Sequence, residues 1–197
     1  MSKSILALLV CSLLFLSVAA TSAEKAVFAG GCFWCIEADY QDMDGVLDAV
    51  SGFMGGTAAN PTYYGNHKGH YEAVEVTFDP TIVSYQELLD RYWVNIDPFD
   101  AKGQFCDKGP SYLAAIFVAG DEQRELAEKS FAAVEKEFSS MKVVTRILAA
   151  TTFYPIKGRE IEHQDYYINH PIRYKFYRTS CGRDRRLRQI WGDRVTH

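Results

Sequence analysis

The chain has 197 residues, a length that suits one ordinary domain. Apolar residues make up 48% of it and charged residues 23%, which is a globular composition and excludes a disordered chain. The formal net charge is -4, which argues against a nucleic-acid binder, because such affinity comes mostly from cations placed on phosphates.

The first 23 residues have the pattern of a secretory signal peptide. Lys3 gives a positive start, residues 5–16 are almost entirely apolar, and small residues lead up to Ala23. A retained anchor is the less favoured alternative, because spanning a bilayer takes roughly 20 apolar residues. We therefore expect cleavage after Ala23 and one catalytic domain over residues 24–197. The protein would be exported, periplasmic or secreted, without stable membrane association.

The mature chain alternates strands and helices and has no repeat or linker. Hydrophobic periodicity predicts strands over residues 26–29, 46–53, 71–79, 112–119 and 143–152. Helices are predicted from Cys32, from the capping box of Ser84 and Glu87, from Asp121 to Phe138, and over residues 160–169. This order predicts an α/β (α+β) fold in which helices cover a mixed sheet.

The first loop carries the clearest chemical signal. Gly30 and Gly31 precede Cys32 where a strand meets a helix, and Cys35 follows on that helix. A helix N-terminus favours a thiolate, which is the nucleophilic form of cysteine. The pattern therefore favours Cys32 as a nucleophile, although two structural cysteines or a metal-binding pair would give the same spacing.

Six motifs in order along the chain extend this interpretation. They are Gly-Cys-Phe-Trp-Cys at 31–35, Asn-Pro-Thr-Tyr at 60–63, Gly-His-Tyr-Glu at 69–72, Gln-Phe-Cys-Asp-Lys-Gly-Pro-Ser-Tyr at 104–112, His-Gln-Asp-Tyr at 163–166 and Ser-Cys-Gly-Arg-Asp at 180–184. Together they resemble the A-type peptide-methionine sulfoxide reductases. The resemblance implies a two-layer sandwich with a ferredoxin-like core and a loop-rich C-terminal tail.

The resemblance also implies the activity. An enzyme of this family reduces methionine-S-sulfoxide, free or in oxidised proteins, and so acts in protein repair under oxidative stress. It needs no metal or organic cofactor, because an external thiol supplies the electrons: a thioredoxin-like protein, or dithiothreitol in vitro. A monomer with no nucleic-acid partner is expected.

The resemblance assigns the reacting groups. Cys32 is the nucleophile, and Glu72 is the acid that protonates the sulfoxide oxygen, since a carboxyl group held out of water has a raised pKa. Tyr63 and Tyr112 donate hydrogen bonds to that oxygen. From the strand pattern alone, Glu72 would as readily be an exposed carboxylate.

Three further residues complete the implied site. Phe33 and Trp34 wall a slot for the substrate methyl group, because aromatic faces suit a methyl on polarised sulfur. Asp107 shapes the site or takes part in docking of the reductant.

Attack would leave a sulfenic acid on Cys32, which a second thiol converts to a disulfide. The resemblance favours Cys181, in the C-terminal tail, as this resolving thiol. Cys35 is the alternative, although the two side chains on one helix are expected to face each other poorly. Cys106 is expected to be a buried, inert thiol.

Other interpretations stay open at this stage. A thioredoxin-like dithiol-disulfide oxidoreductase would use Cys32 and Cys35 alone, and a non-enzymatic exported module would bridge one of them to Cys181. A metal site with His67 and His70 is disfavoured by its spacing. His163 is expected to be a packing or surface histidine.

The arginines of the C-terminal tail are expected to form a solvated basic face. They are Arg183, Arg185, Arg186 and Arg188.

Overall fold

The computed structural model describes residues 22–195. The predicted signal peptide therefore lies outside the described residues except for its last two positions. Within the described part of the chain, no helix is long and apolar enough to cross a membrane.

The elements follow one another in a nearly regular alternation until residue 155. The strands are β1 (Glu24–Ala29), β2 (Val46–Met54), β3 (Tyr71–Phe78), β4 (Gly103–Gln104), β5 (Asp107–Lys108), β6 (Ala115–Val118), β7 (Arg146–Ala149) and β8 (Tyr154–Pro155). The α-helices are α1 (Phe33–Gln41), α2 (Tyr85–Trp93), α3 (Asp121–Glu137), α4 (Tyr166–Asn169), α5 (Pro171–Ser180) and α6 (Arg183–Trp191). Three short 3-10 helices cover Pro110–Tyr112, Gly158–His163 and Gly192–Arg194.

Six strands form one sheet in the order β7-β6-β1-β3-β2-β8. All its pairs are antiparallel except β6 with β7. The run β1-α1-β2-β3-α2-β6, with β6-β1-β3-β2 adjacent, is the ferredoxin-like arrangement. The mixed sheet and the ferredoxin-like core are thus confirmed.

The core lies between the sheet and the helices. Val74, Val76 and Phe78 point from β3 into the main cluster, as their alternation predicts, and Phe28 joins them from β1. Ser84 and Glu87 form the predicted capping box, so α2 begins where expected. This packing fixes the ends of β1 and β3, which carry the reactive residues.

Two expectations about local structure are wrong. Tyr112 ends a 3-10 helix and is not part of a strand, because Pro110 fits the first turn of a helix and cannot donate to a sheet. The C-terminal tail is helical and not loop-rich. Leu187 and Trp191, four residues apart, are buried in the main core, and the Trp191 indole donates to the Ile96 carbonyl at 2.9 Å. That apolar pair holds α6 in place.

Candidate active site

Cys32 lies between β1 and α1, where it is the N-cap residue of the helix. The chain reaches it through Gly31, whose φ of +89° lies in the left-handed region that favours glycine. A Cβ atom on Gly31 would also stand 2.7 Å from the Cβ of Gln104. Gly31 therefore lets the loop pack against the β4–β5 hairpin, and the Cys32 residue is left only 6% exposed.

Glu72 is the buried carboxyl group beside this loop. It lies on β3, is 2% exposed, and accepts a hydrogen bond from the backbone N–H of Phe33 at 3.1 Å. Burial raises its pKa from the ordinary 4.5 to about 8, and the charge of Asp107 acts in the same direction. The carboxyl is therefore protonated at neutral pH. The interpretation of Glu72 as an exposed strand carboxylate is wrong.

Cys35 lies one helical turn after Cys32, and both are free, buried thiols. The two side chains are joined by a hydrogen bond, because residues three apart on a helix share a face. The expectation that they would face each other poorly is therefore wrong.

The hydrogen-bonded pair places its negative charge on Cys35. Burial raises the pKa of Cys32 well above its ordinary range, and the hydrogen bond to Cys35 raises it further. The same hydrogen bond lowers the pKa of Cys35 to about 7, and the charges of Arg183 and Arg178 help. Burial opposes at Cys32 the thiolate that the helix N-terminus favours, while two cations favour the charge at Cys35.

Those cations belong to an ion-pair network behind the thiols. Arg183 is 1% exposed and pairs with Asp39 at 3.4 Å, while Arg178 pairs with the other Asp39 oxygen at 3.1 Å. Arg183 also donates to the Gly30 carbonyl at 3.2 Å. The expectation of a solvated basic face is therefore wrong for Arg183, because its guanidinium finds all these acceptors inside the protein.

Tyr63 and Tyr112 lie near Glu72 and Cys32. The Tyr112 side chain is hydrogen-bonded to Glu72. The Tyr63 ring stacks on that of Phe33 with centroids 5.8 Å apart. Burial raises the pKa of both phenols, so both stay protonated and able to donate.

Trp34 and Tyr63 line a cavity, whereas Phe33 is fully buried and packs against Tyr63 from within. The Trp34 ring stacks on Tyr166 with centroids 3.8 Å apart. His163 packs on Tyr63 at 3.9 Å and is itself buried, which confirms it as a packing histidine. The cavity lining consists of Trp34, Tyr63, Tyr64, Glu162, His163, Tyr166, His170 and Arg173.

Cys106 and Cys181 form a disulfide across 75 residues of sequence. Cys106 is exposed, so the expectation of a buried, inert thiol is wrong. Its position at the tip of the β4–β5 hairpin explains the error, since that hairpin meets the end of α5 at the surface. Cys181, expected to pair with Cys32, is bonded to Cys106 in this state.

Asp107 and Tyr177 lie between the disulfide and Cys32. Asp107 is half-buried next to Cys106, and its carboxylate accepts a hydrogen bond from the Tyr177 hydroxyl. Tyr177 lies on α5, one turn before Cys181, and its side chain lies near the Cys32 thiol. Burial raises the pKa of Asp107.

The residues considered for a metal site are engaged elsewhere. His70 contacts the Ala58 carbonyl with one ring nitrogen and accepts from the Gly56 N–H with the other. His67 contacts the Thr62 carbonyl. Within residues 22–195, the one candidate metal cluster includes Cys106 and Cys181, whose sulfurs are bonded to each other.

The fold and site define a thiol-based oxidoreductase, with a buried cysteine pair, a protonated carboxylic acid and a second, surface cysteine pair. The family model described as peptide methionine sulfoxide reductase matches residues 24–195. The chain belongs to the peptide methionine sulfoxide reductase family, and its relatives place it in the A-type.

Three of these relatives illustrate the match. Peptide methionine sulfoxide reductase MsrA 2 of Caulobacter vibrioides is 50% identical over 179 residues, which are 89% of each chain. The MsrA enzyme of Bacillus licheniformis is 46% identical over 88% of this chain and 96% of its own. The solved structure of methionine sulfoxide reductase A from Corynebacterium diphtheriae is 31% identical, with a TM-score of 0.66 over 78% of each chain. The present chain is thus an oxidoreductase that reduces methionine sulfoxide and is recycled through a cysteine disulfide.

Several functional contacts escaped the sequence analysis. Tyr166 closes the motif at 163–166, a signal that its stacking on Trp34 now explains. Cys106 lies within the motif at 104–112, and its pairing had no sequence signal. Arg183 and Tyr177 meet the site only through tertiary contacts from the C-terminal helices.

Proposed function

We propose that the chain reduces the S epimer of methionine sulfoxide, free or within oxidised proteins, by attack of Cys32 assisted by Glu72. The observation that supports these roles best is the buried Glu72 carboxyl, with its pKa near 8, joined to the nucleophile loop through the Phe33 N–H. A sulfoxide yields to a thiolate only when its oxygen is protonated or strongly hydrogen-bonded, and a neutral carboxylic acid provides that proton.

In the first step the Cys32 proton passes to Cys35, and the Cys32 sulfur attacks the sulfoxide sulfur while Glu72 protonates the sulfoxide oxygen. The bond between the substrate sulfur and its oxygen breaks, and the hydroxyl group is transferred to Cys32 as a sulfenic acid. Methionine leaves with two electrons gained, and Cys32 has lost two. Tyr63 and Tyr112 donate to the oxygen as its charge develops, and Trp34 holds the methyl group. Asp107 shapes the site from the hairpin side.

Cys181 is the proposed resolving thiol, followed by Cys106. Cys181 attacks the sulfenic acid, water leaves, and a Cys32–Cys181 disulfide forms. Cys106 then attacks Cys181, which releases Cys32 as a thiol. What supports this order is the state described above: Cys32 and Cys35 reduced, and Cys106 bonded to Cys181. The contact between Cys32 and Cys35 supports the alternative, in which Cys35 resolves first and then exchanges with Cys181.

An external thiol would complete the cycle without a metal or organic cofactor. Cys106 is exposed, so a thioredoxin-like protein, or dithiothreitol in vitro, can attack the Cys106–Cys181 bond from solvent. The pattern of residues 1–23 supports an exported enzyme that would meet such a protein outside the cytosol. N-terminal sequencing of the mature protein tests the cleavage after Ala23.

The decisive experiment supplies a racemic methionyl-sulfoxide peptide with dithiothreitol to the mature protein and to Cys32→Ser. Consumption of the S epimer by the parent alone is the expected result. Consumption of the R epimer, or activity in Cys32→Ser, would contradict the proposal. The pKa of Cys35 near 7 favours a second candidate, dithiol-disulfide exchange. Reduction of insulin disulfides in the same samples measures that activity.

A further inference from the structure

Tyr177 is placed between the nucleophile and an acidic partner. Its hydroxyl donates a hydrogen bond to the Asp107 carboxylate, and its ring meets Trp34 edge-on with centroids 5.7 Å apart. These two contacts hold the Tyr177 side chain near the Cys32 thiol, although Tyr177 comes from α5, near the end of the chain.

The Tyr177 hydroxyl carries one proton, which it can donate either to the Asp107 carboxylate or to the Cys32 sulfur. In the reduced resting pair Cys32 is the neutral thiol and Cys35 holds the charge, so Tyr177 donates to Asp107. When Cys32 loses its proton to attack the substrate, its sulfur becomes a charged acceptor within reach of the same hydroxyl.

Among the side chains around Cys32, Tyr177 favours its thiolate, whereas burial and Cys35 oppose it. Glu72 and the phenols Tyr63 and Tyr112 also lie near Cys32, and all three are protonated at neutral pH. A donor that turns to the sulfur only when charge develops there stabilises the reactive form.

We propose that Tyr177 is a further catalytic residue, whose hydroxyl turns from Asp107 to the Cys32 sulfur as that sulfur becomes a thiolate. The proposal rests on the nucleophilic role given to Cys32 above.

The test is alkylation of Cys32 by iodoacetamide across pH, with each site identified by peptide mass. The mature protein is used with its Cys106–Cys181 disulfide intact, so that Cys32 and Cys35 are the free cysteines. In Tyr177→Phe, which keeps the ring against Trp34, we expect Cys32 alkylation at pH 7 to slow by about tenfold or more. Its apparent pKa should rise.

Tyr167→Phe is the matched control. The Tyr167 hydroxyl, on the adjacent α4, has no hydrogen-bond partner, so its removal should leave the Cys32 profile unchanged. Asp107→Asn should act in the opposite direction, because a neutral amide competes less for the Tyr177 proton. Combined with Tyr177→Phe, the effect of Asp107→Asn should shrink markedly.

Coincident profiles for Tyr177→Phe and the parent would overturn the proposal, as would an equal shift in Tyr167→Phe. If Tyr177→Phe fails to fold, as judged by its melting curve, unchanged Cys32 reactivity in Asp107→Asn overturns it instead. Alkylation needs no sulfoxide, so this outcome is distinct from failure of the proposed function. Single-turnover formation of methionine should slow in parallel in Tyr177→Phe.

Discussion

The two cysteine pairs of this enzyme lie in opposite environments. Cys32 and Cys35 are buried and reduced within the ferredoxin-like core, beside a protonated acid and a buried ion-pair network. Cys106 and Cys181 are bonded at the surface, where a short hairpin meets the C-terminal helices. Protonation of a sulfoxide requires a site held out of water, whereas exchange with another protein requires an accessible sulfur. The fold separates these requirements.

The contrast between the two cysteine pairs would be wrong if the buried pair did not react with the sulfoxide. Cys32→Ser should lower single-turnover formation of methionine by more than about 10³-fold, because no other thiol replaces the nucleophile. Cys35→Ser is the matched control and should still release one methionine per chain. Full loss in Cys35→Ser with activity left in Cys32→Ser would exchange their roles.

Glu72→Gln tests the protonated acid at the buried pair. It should lower single-turnover formation of methionine by about 10²- to 10⁴-fold while preserving the shape of the site. Parent activity should fall as pH rises past about 8, since the carboxyl then loses its proton. The residual activity of Glu72→Gln should not show this decline above pH 8. Equal pH profiles would remove Glu72 from the acid role.

The same residue predicts a pH dependence of stability. The folded pKa of Glu72 lies near 8 and its ordinary value is 4.5, so folding favours the protonated form. Its contribution is fully present below about pH 4.5 and is lost as pH rises toward 8. Urea unfolding across this range should show a smaller decline in Glu72→Gln than in the parent.

The surface pair should matter for recycling and not for the first turnover. Cys106→Ser and Cys181→Ser should each lower multiple turnover with a thioredoxin-like reductant by about tenfold or more, because exchange at the surface disulfide is lost. Quench-flow should still give one methionine per chain in both. Undiminished multiple turnover would show that electrons enter through Cys32 and Cys35 directly.

Removal of the disulfide should also lower stability. It closes a loop of 75 residues, and loss of such a cross-link typically costs about 2–5 kcal/mol. Urea unfolding of Cys106→Ser measures the change, with the dithiothreitol-reduced parent as the control. If Cys106→Ser is as stable as the parent with its disulfide intact, the disulfide has only a redox role.

The smallest expected effect concerns the ion-pair network. Arg183→Lys should raise the pKa of Cys35 modestly above 7, because an ammonium cannot reproduce the fork that reaches both Asp39 and the Gly30 carbonyl. Alkylation of Cys35 at neutral pH should slow a few-fold. Arg185→Lys, on the same helix, is the control and should leave Cys35 unaffected.

The sequence predicted the core well because its signals are local. Alternation along β3 and the capping box at Ser84 each report their own segment, and the motif at 31–35 points to the buried cysteine pair by its composition. The buried position of Glu72 followed from the family resemblance and not from its strand pattern.

What the sequence could not predict depends on contacts between distant segments. Arg183 and Arg185 lie two residues apart in one basic segment, yet Arg183 enters the core to meet Asp39, 144 residues earlier. The charge of Arg183 helps to lower the pKa of Cys35, so that pKa depends on the entry of Arg183 into the core. Cys106 and Tyr177 likewise acquire their partners only when the C-terminal helices pack against the hairpin.

The presence of two pairs sets the electron capacity of one chain. Fully reduced, the four cysteines hold four electrons, enough for two sulfoxides before any reductant is needed, if each pair can form its disulfide. In the state described here the surface pair is already oxidised, whereas the buried pair is still reduced. The enzyme would then act as a small reserve, able to complete one more repair while its reductant is scarce.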